Sequence, residues 1–175
     1  ESIEIHETPI GDSWARDSGP TFLTHPDGRL GATHWTFNAW GDAGFSDYTD
    51  EQHVGAFIAG LAGAELFSSS MVNEGGGIHV DGEGTVLCTT TVQLDPGRNP
   101  TMNAESVETE LKAYLGVNKA IWLPRGLTKD YDRFGTRGHV DICACFVQPG
   151  RLLVHRQTDP SHPDFEVTAE YIDIL

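Results

Sequence analysis

The sequence has no long apolar run, few basic residues and few cysteines. No stretch approaches the ~18 apolar residues that a membrane-spanning helix needs, and no charged-then-apolar leader opens it, so the sequence predicts a soluble, untargeted protein. The 11 Lys and Arg face 26 Asp and Glu, for a formal net charge of −15. This balance argues against nucleic acid or an anionic membrane as a partner and favours a neutral or cationic ligand.

The three cysteines, Cys88, Cys143 and Cys145, form no Cys-x-x-Cys pair. Cys143 and Cys145 lie two apart in an expected strand, which is a poor geometry for a disulfide. This pattern favours reduced, buried thiols and a cytoplasmic protein. The sequence begins at Glu1 with strand character and stops at Leu175 inside a helical pattern, so we expect both ends to be cut from a longer chain.

With 175 residues, of which 38% are hydrophobic, the chain can bury one sizeable core. Along it, a polar residue, a hairpin, a loop, an amphipathic helix and a further strand recur three times. The expected elements are a strand over Ser2–Thr8, a hairpin of Thr21–Thr24 and Leu30–Thr33, a helix over Thr49–Gly63 with a Thr49/Gln52 capping box, a strand near Glu65–Ser68, a hairpin from Ile78, a helix closed by Gly116, a strand over Lys119–Leu123, and a last helix from Asp164. The repeat predicts units of roughly 1–67, 68–123 and 124–175.

Each predicted unit carries one polar residue at the start of its hairpin: Asp17, Glu74 and His139, separated by 57 and 65 residues. If the units pack around an axis, these three places converge on one central cleft. The convergence is the main argument for a functional site.

The third of these residues lies in a stretch, Thr136–Phe146, that we interpret as a buried strand. At a side-chain period of two, His139 and Asp141 share one face and Val140 points to the other. The preceding Gly138 leaves room for another group to approach the backbone.

The converging set contains carboxylates, one imidazole and the nearby Trp14 and Trp40. Two facing carboxylates suit a planar cation such as a guanidinium, since each can accept paired N–H bonds. A histidine held by Glu74 would be a tuned general acid or base. A nucleophile is missing, because Cys143 and Cys145, on the same predicted strand, are better explained as core thiols.

Two other classes of function stay open. The tripeptide His-Val-Asp occurs at His79–Asp81 as well as at His139–Asp141, and with Glu74 it could supply the ligands of a metal-dependent hydrolase. The missing nucleophile also permits a module that binds a guanidinium without converting it. Arg98 and Asn99 either line the cleft or brace their own loop.

Four motifs carry a resemblance to a known family. They are Asp12-Ser-Trp-Ala-Arg-Asp-Ser-Gly-Pro-Thr-Phe, Asn73-Glu-Gly-Gly-Gly-Ile-His-Val-Asp-Gly-Glu-Gly-Thr, Gly97-Arg-Asn-Pro and Gly138-His-Val-Asp. In this order they resemble the agmatine deiminase and bacterial-type peptidylarginine deiminase family over essentially the whole chain. The resemblance implies an α/β fold of the pentein type, a five-bladed propeller of pseudo-repeated ββαβ units, of which about three blades would be present in one partial domain over residues 1–175.

The resemblance also implies an activity, the hydrolysis of a guanidinium to a ureido group with release of ammonia, without metal or cofactor. By the same likeness Asp17 and Asp141 would grip the guanidinium, Glu74 would orient His139 as general acid/base, and Trp14 would lie against the substrate. The family's nucleophile is a cysteine in a Gly-rich motif near the C-terminus, and nothing in these 175 residues matches it. We therefore expect this chain alone to be inactive.

This sequence departs from the family where many agmatine deiminases carry an acidic residue and an asparagine. Here those positions are Gly135 and Ile142, and Arg137 lies close by. The exchange leaves open whether the substrate is agmatine or another guanidino compound. Beyond such a small cation we expect neither nucleic acid nor membrane as a partner. A homo-oligomer stays open, since half a propeller would expose sheet edges and apolar faces.

Overall fold

A computed structural model describes residues 3–42 and 47–175. The described strands are β1 (Thr21–Thr24), β2 (Leu30–Thr36), β3 (Glu65–Val72), β4 (Ile78–Val80), β5 (Thr85–Thr89), β6 (Lys119–Leu123), β7 (Ala144–Gln148) and β8 (Arg151–Val154). The helices are α1 (Ala15–Ser18), α2 (Glu51–Leu61), α3 (Thr90–Gln93), α4 (Ala104–Leu115) and α5 (Asp164–Ile174), with short 3-10 turns at Gly75–Gly77 and Thr128–Tyr131. Residues Ala39–Asp42 form a tight turn whose φ angles are all positive.

The same strand topology occurs twice. β1 pairs antiparallel with β2, which pairs parallel with β3, and the order β4-β5-β6 repeats this arrangement. In each case an amphipathic helix, α2 or α4, provides the crossover that a parallel pair requires. A third antiparallel hairpin, β7-β8, is followed by α5. The predicted α/β class is confirmed; the described residues form small open sheets and no closed one, and the unit boundaries stay a prediction.

The core lies on both sides of β5. Val86 and Cys88 point into one apolar cluster together with Val107 and Leu111 of α4. Leu87 points the opposite way, into a second cluster that includes residues of β7 and α5. All three β5 residues are fully buried, because both faces of this strand are covered by apolar layers.

The two crossover helices begin differently. In α4 the Asn103 side chain accepts the Ser106 N–H, and the Asn103 N–H donates to the Ser106 hydroxyl, which is a capping box. The helix ends at Gly116 with φ 68°, as predicted. The capping box predicted for α2 from Thr49 and Gln52 is wrong, because Thr49 instead bonds the Asp47 carboxylate and the N-cap residue is Asp50, whose side chain makes no cap hydrogen bond.

Two predicted strands are wrong. Ser2 lies outside the described residues, and residues 3–10 do not form a strand. Thr136–Phe146 is not one buried strand: β7 begins only at Ala144, and residues 141–143 form a turn, with the N–H groups of Cys143 and Ala144 donating to the Val140 carbonyl. His139 and Asp141 therefore do not share a strand face, and Cys143 and Cys145 do not share one with them.

Apolar side chains are exposed on the β7-β8 hairpin. Val147 and Leu153 are 62% and 65% exposed. Within residues 3–42 and 47–175, no helix has both the length and the apolar character to cross a membrane.

Candidate active site

Three side chains from the three hairpin connections meet in the interior. Asp17, Glu74 and His139 each lie four or five residues before their hairpin, and they are only 6%, 0% and 4% exposed. His139 Nε2 is 3.1 Å from Glu74 Oε2, and His139 Nδ1 is 3.8 Å from Asp17 Oδ1. The structure thus brings together the three polar residues that the repeat singled out, although turns hold them rather than strands.

Two glycines allow this close approach. A Cβ on Gly76 would overlap His139 Nδ1 and come within 2.9 Å of Asp17 Oδ1. A Cβ on Gly75 would overlap the Arg16 carbonyl oxygen. The Glu-Gly-Gly-Gly motif is therefore explained by packing, because the backbone after Glu74 must lie directly against both neighbouring connections.

Gly76 also ties two of the predicted site residues together. Its N–H donates to Asp17 Oδ1 at 2.9 Å, and its carbonyl accepts the Asp141 N–H at 3.2 Å. One residue of the second connection therefore fixes a carboxylate of the first and the backbone of the third.

Glu74 is held in its ionised form by a buried arginine. Arg98 Nε lies 2.9 and 3.0 Å from the two carboxylate oxygens of Glu74. The same guanidinium donates through NH2 to the Thr136 carbonyl at 2.7 Å and lies 3.5 Å from Asp95 Oδ2. Arg98 thus pairs with a site residue and also braces the loop that carries His139. Asn99 only braces its loop: its amide bonds the Val72 backbone and the Gln93 carbonyl.

The charges around His139 favour its protonated form. Burial lowers the pKa of His139, but the hydrogen bond and charge of Glu74, together with the charge of Asp17, raise it above its ordinary value. Burial acts to raise the pKa of Glu74, yet its bonds to His139 and Arg98 bring that pKa below the usual range. Both directions favour an imidazolium paired with a carboxylate, the state from which a general acid donates a proton.

Asp17 keeps free acceptor capacity while it is held rigidly. Trp40 Nε1 donates to Asp17 Oδ2 at 3.0 Å, while Oδ1 takes the Gly76 N–H. Each carboxylate oxygen can accept two hydrogen bonds, so one further donor can bind each oxygen. Trp40 reaches Asp17 from a turn in which it adopts φ 60°, a costly conformation for a large side chain that is common at functional sites.

Asp141 borders the cluster on its more open side. Its carboxylate is about a quarter exposed and lies 3.9 Å from Arg16 Nε. Burial, and the neighbouring charge of Asp17, raise the pKa of Asp141 against the opposing effects of His139 and Arg16. A carboxyl with a raised pKa beside a second carboxylate is stabilised by a cation bound between them. Trp14, which precedes α1, is 58% exposed, and no contact of its side chain tests its predicted place against a substrate.

The departures from the family pattern lie on both sides of His139. A Cβ on Gly135 would overlap backbone atoms of Asp130, so this loop conformation leaves no space for an acidic side chain there. Ile142 is exposed. Arg137 NH1 lies 3.1 Å from Asp95 Oδ2, so its charge is paired.

The side chains that could have formed a metal site make hydrogen bonds within the protein instead. His79 Nδ1 accepts the Phe146 N–H at 3.2 Å, and Asp81 Oδ1 accepts the N–H groups of Glu83 and Thr85 at 2.8 Å each. Glu74 is occupied by Arg98 and His139. Among the described residues, no three His, Cys, Asp or Glu side chains are gathered in a metal-binding arrangement.

The cysteines are free thiols. Cys143 is buried, and its Sγ lies 3.3 Å from both the His139 carbonyl oxygen and the Tyr171 hydroxyl. Burial raises its pKa to about 11, and burial also raises the pKa of Cys88. These two thiols are core groups and poor nucleophiles at neutral pH.

Sequence reasoning missed Asp130 and Asp95. The Asp130 carboxylate binds the backbone of the loop that carries His139, and Asp95 lies between Arg98 and Arg137. Neither aspartate lies in one of the repeated motifs, and neither shares a motif with the groups that it binds. The only available signals are acidic side chains inside turn-rich segments, which are usually local turn residues.

The described geometry defines a buried carboxylate–imidazole site suited to a planar cation. Comparison with known proteins agrees: the family model of Porphyromonas-type peptidyl-arginine deiminase matches residues 1–175, and the chain belongs to that family. A putative agmatine deiminase of Streptomyces avermitilis is 54% identical over 175 residues, covering 99% of this chain and 51% of the relative.

Solved structures show the same likeness. An X-ray structure of a putative agmatine deiminase has a TM-score of 0.92 at 38% identity, covering 100% of this chain and 48% of that one. The structure titled agmatine deiminase of Enterococcus faecalis catalyzing its reaction has a TM-score of 0.89 at 34% identity, over 96% of this chain and 46% of that one. The chain spans about half the length of the relatives it matches.

Proposed function

We propose that the protein containing this chain hydrolyses the guanidinium of a small cationic compound to a ureido group, releasing ammonia. The observation that carries the proposal is the buried His139–Glu74 pair, set beside two carboxylates, Asp17 and Asp141, that retain acceptor capacity. Family membership and the relatives named agmatine deiminase support it. The substrate is agmatine or a close guanidino analogue.

In this proposal Asp17 and Asp141 bind the guanidinium. Planar N–H groups match carboxylate oxygens in paired geometry, and the surrounding burial strengthens each charge-assisted bond. Trp14 covers the bound group, and Trp40 holds Asp17 in place. Because the site carries several carboxylates, a cation is favoured over a neutral or anionic compound.

The chemistry requires a nucleophile, which we assign to a cysteine outside these 175 residues. Its thiolate attacks the guanidinium carbon, forming a C–S bond. His139 donates its proton to one amino group, the C–N bond breaks, and ammonia leaves. Water then gives a proton to His139 and attacks the same carbon. The C–S bond breaks, the proton left on the new hydroxyl passes to solvent, the thiolate is regenerated, and the ureido product leaves.

The assembly and location belong to the same proposal. The repeated topology of β1–β3 and β4–β6 supports a pentein-type propeller in which residues 1–67, 68–123 and 124–175 form about three of five units. Exposed apolar residues on the last hairpin fit an arrangement in which further protein covers them. A cytoplasmic location, as the reduced cysteines predict, and a homo-oligomer are parts of this model.

The test is to incubate the full-length protein with agmatine, arginine and an arginine-containing peptide, and to follow ammonia and the ureido product. We expect turnover of a small guanidino compound. Absence of a ureido product from every compound would contradict the proposal, and saturable binding without turnover would instead favour a guanidinium-binding module.

The 175-residue chain tested alone separates the two halves of the mechanism. We expect no ammonia release, because none of its cysteines lies in the Gly-rich motif that carries the family's nucleophile. Ammonia released from agmatine by this chain would show that the nucleophile lies within it.

A further inference from the structure

The loop that carries His139 is held through its backbone by one carboxylate. Asp130 Oδ1 accepts the Thr136 N–H at 2.8 Å, and Oδ2 accepts the N–H groups of Gly138 and His139 at 2.7 and 3.0 Å. The Thr136 hydroxyl also donates to Oδ2. Four donors from three residues, Thr136, Gly138 and His139, therefore converge on a single side chain.

These bonds take the place of the regular backbone hydrogen bonds of a helix or a sheet, which this loop lacks. Arg137 and Gly138 adopt φ 68° and 115°, which turns successive N–H groups towards the same side. Buried N–H groups without a partner are costly, and the Asp130 carboxylate supplies partners for these. The loop conformation consequently depends on that carboxylate.

Asp130 itself sits on a fixed support. The hydroxyl of its neighbour Tyr131 accepts the Gly126 N–H at 2.9 Å and lies 2.8 Å from Thr91 Oγ1. At the start of the same turn, the Thr128 N–H donates to Asp164 Oδ1 at 2.7 Å. The carboxylate is thus presented by a turn that is anchored to α3, to the preceding loop and to α5.

We propose that Asp130 is a positioning residue, which fixes the backbone of His139 so that the ring reaches Glu74 and Asp17. Its carboxylate binds main-chain N–H groups and the Thr136 hydroxyl, so it acts through the geometry of the loop. Its effect on turnover rests on the proposed function, whereas its effect on the His139 ring does not.

The test compares Asp130→Asn with Asp132→Asn in the full-length protein. The carbonyl oxygen of an amide at 130 can accept at most two of the four donors, and its NH2 then faces a main-chain N–H that is itself a donor. Asp132 is an acidic neighbour on the same segment, exposed and 3.5 Å from Lys129 Nζ, so it is a matched control. Turnover of a guanidino substrate, urea unfolding and the NMR titration of His139 are measured for each.

For Asp130→Asn we expect kcat/KM to fall roughly a hundredfold, as for a catalytic group displaced by ~1 Å. We also expect His139 to titrate at lower pH, because a displaced ring loses its contact with Glu74; Asp17, Arg98 and Asp141 are the other charged groups facing it. Asp132→Asn leaves both unchanged. If Asp130→Asn lowers stability but leaves kcat/KM and the titration of His139 unchanged, the role is only structural and the proposal is wrong.

A second pair of variants covers the case in which Asp130→Asn fails to fold. Thr136→Val keeps the shape of the side chain but removes the hydroxyl that contacts both Asp130 and the His139 N–H. It should shift the His139 titration in the same direction by less, and Thr136→Ser should restore it. An unshifted titration in Thr136→Val overturns the proposal. If the wild-type protein converts no guanidino compound, the titration still shows whether Asp130 positions the His139 ring.

Discussion

The tripeptide His-Val-Asp occurs twice, and the two copies have different structural roles. His79 lies on β4, where its Nδ1 accepts the Phe146 N–H, and Asp81 closes the following turn through two backbone N–H groups. His139 lies in a loop against Glu74 and Asp17, and Asp141 borders the same cluster. Identical residues therefore form a sheet-and-turn element in one unit and the centre of the candidate site in another.

The difference comes from what surrounds each copy. His79 faces a backbone donor, which requires an unprotonated Nδ1, whereas His139 faces carboxylates, which favour a protonated ring. The Asp130 carboxylate accepts the N–H groups of Gly138 and His139, so these groups are not available to a strand partner. Three adjacent residues do not define a site; the groups that reach them from other connections do.

Replacing each histidine by asparagine should give the largest contrast. In the full-length protein, His139→Asn should lower kcat/KM for a guanidino substrate roughly a hundred- to ten-thousand-fold, the usual contribution of a general acid/base. His79→Asn should change it by no more than a few-fold, because that ring is held by the sheet. The measurement is initial-rate formation of the ureido product, and equal losses in the two variants would contradict the distinction.

The glycines near the two copies provide the next contrast. A Cβ in Gly76→Ala overlaps His139 Nδ1, and because the neighbour is a confined ring it must move. We expect a loss of about a hundredfold in kcat/KM. Gly82, beside the first copy, has open space around it but φ 76°, so Gly82→Ala should cost about 1 kcal/mol of stability and no activity. Comparable kinetics in the two variants would show that Gly76 does not set the position of His139.

These contrasts also show how much the sequence could predict. The hairpins, α4 with its Gly116 end and the meeting of Asp17, Glu74 and His139 follow from local patterns and their repetition. The loop of His139 does not, because apolar residues after it imitate a strand while the decisive carboxylate lies nine residues earlier. The pairing of Glu74 with Arg98 was equally hidden, since it joins segments whose contact only the fold determines. The contribution of the Glu74–Arg98 pair to stability can be tested by comparison with Asp81, the carboxylate in the His79 copy of the tripeptide.

Removing one carboxylate beside each histidine should affect stability unequally. Glu74→Gln leaves Arg98 buried without its full counter-charge, and breaking a buried pair in this way costs about 3 kcal/mol. Asp81→Asn loses acceptor strength in an exposed turn, where about 1 kcal/mol is expected. Urea unfolding of the two variants gives both values, and a cost for Glu74→Gln no greater than for Asp81→Asn would mean that Arg98 finds another partner.

The smallest effect is a difference in titration between the two rings. Burial, then the charge of Arg16, lowers the pKa of His79 against the opposing charge of Asp141, whereas carboxylates raise that of His139 despite its burial. The stability contributed by His139 is fully present below the ordinary histidine pKa of about 6.5 and is lost as pH rises through its folded value. That contributed by His79 is present above about 6.5 and is lost as pH falls through its folded value. NMR titration, with each asparagine variant assigning one signal, should place the two midpoints on opposite sides of the ordinary value. A His139 midpoint below the ordinary value would mean that the carboxylates around His139 do not outweigh its burial, and an acid role for that ring at neutral pH would lose its physical basis.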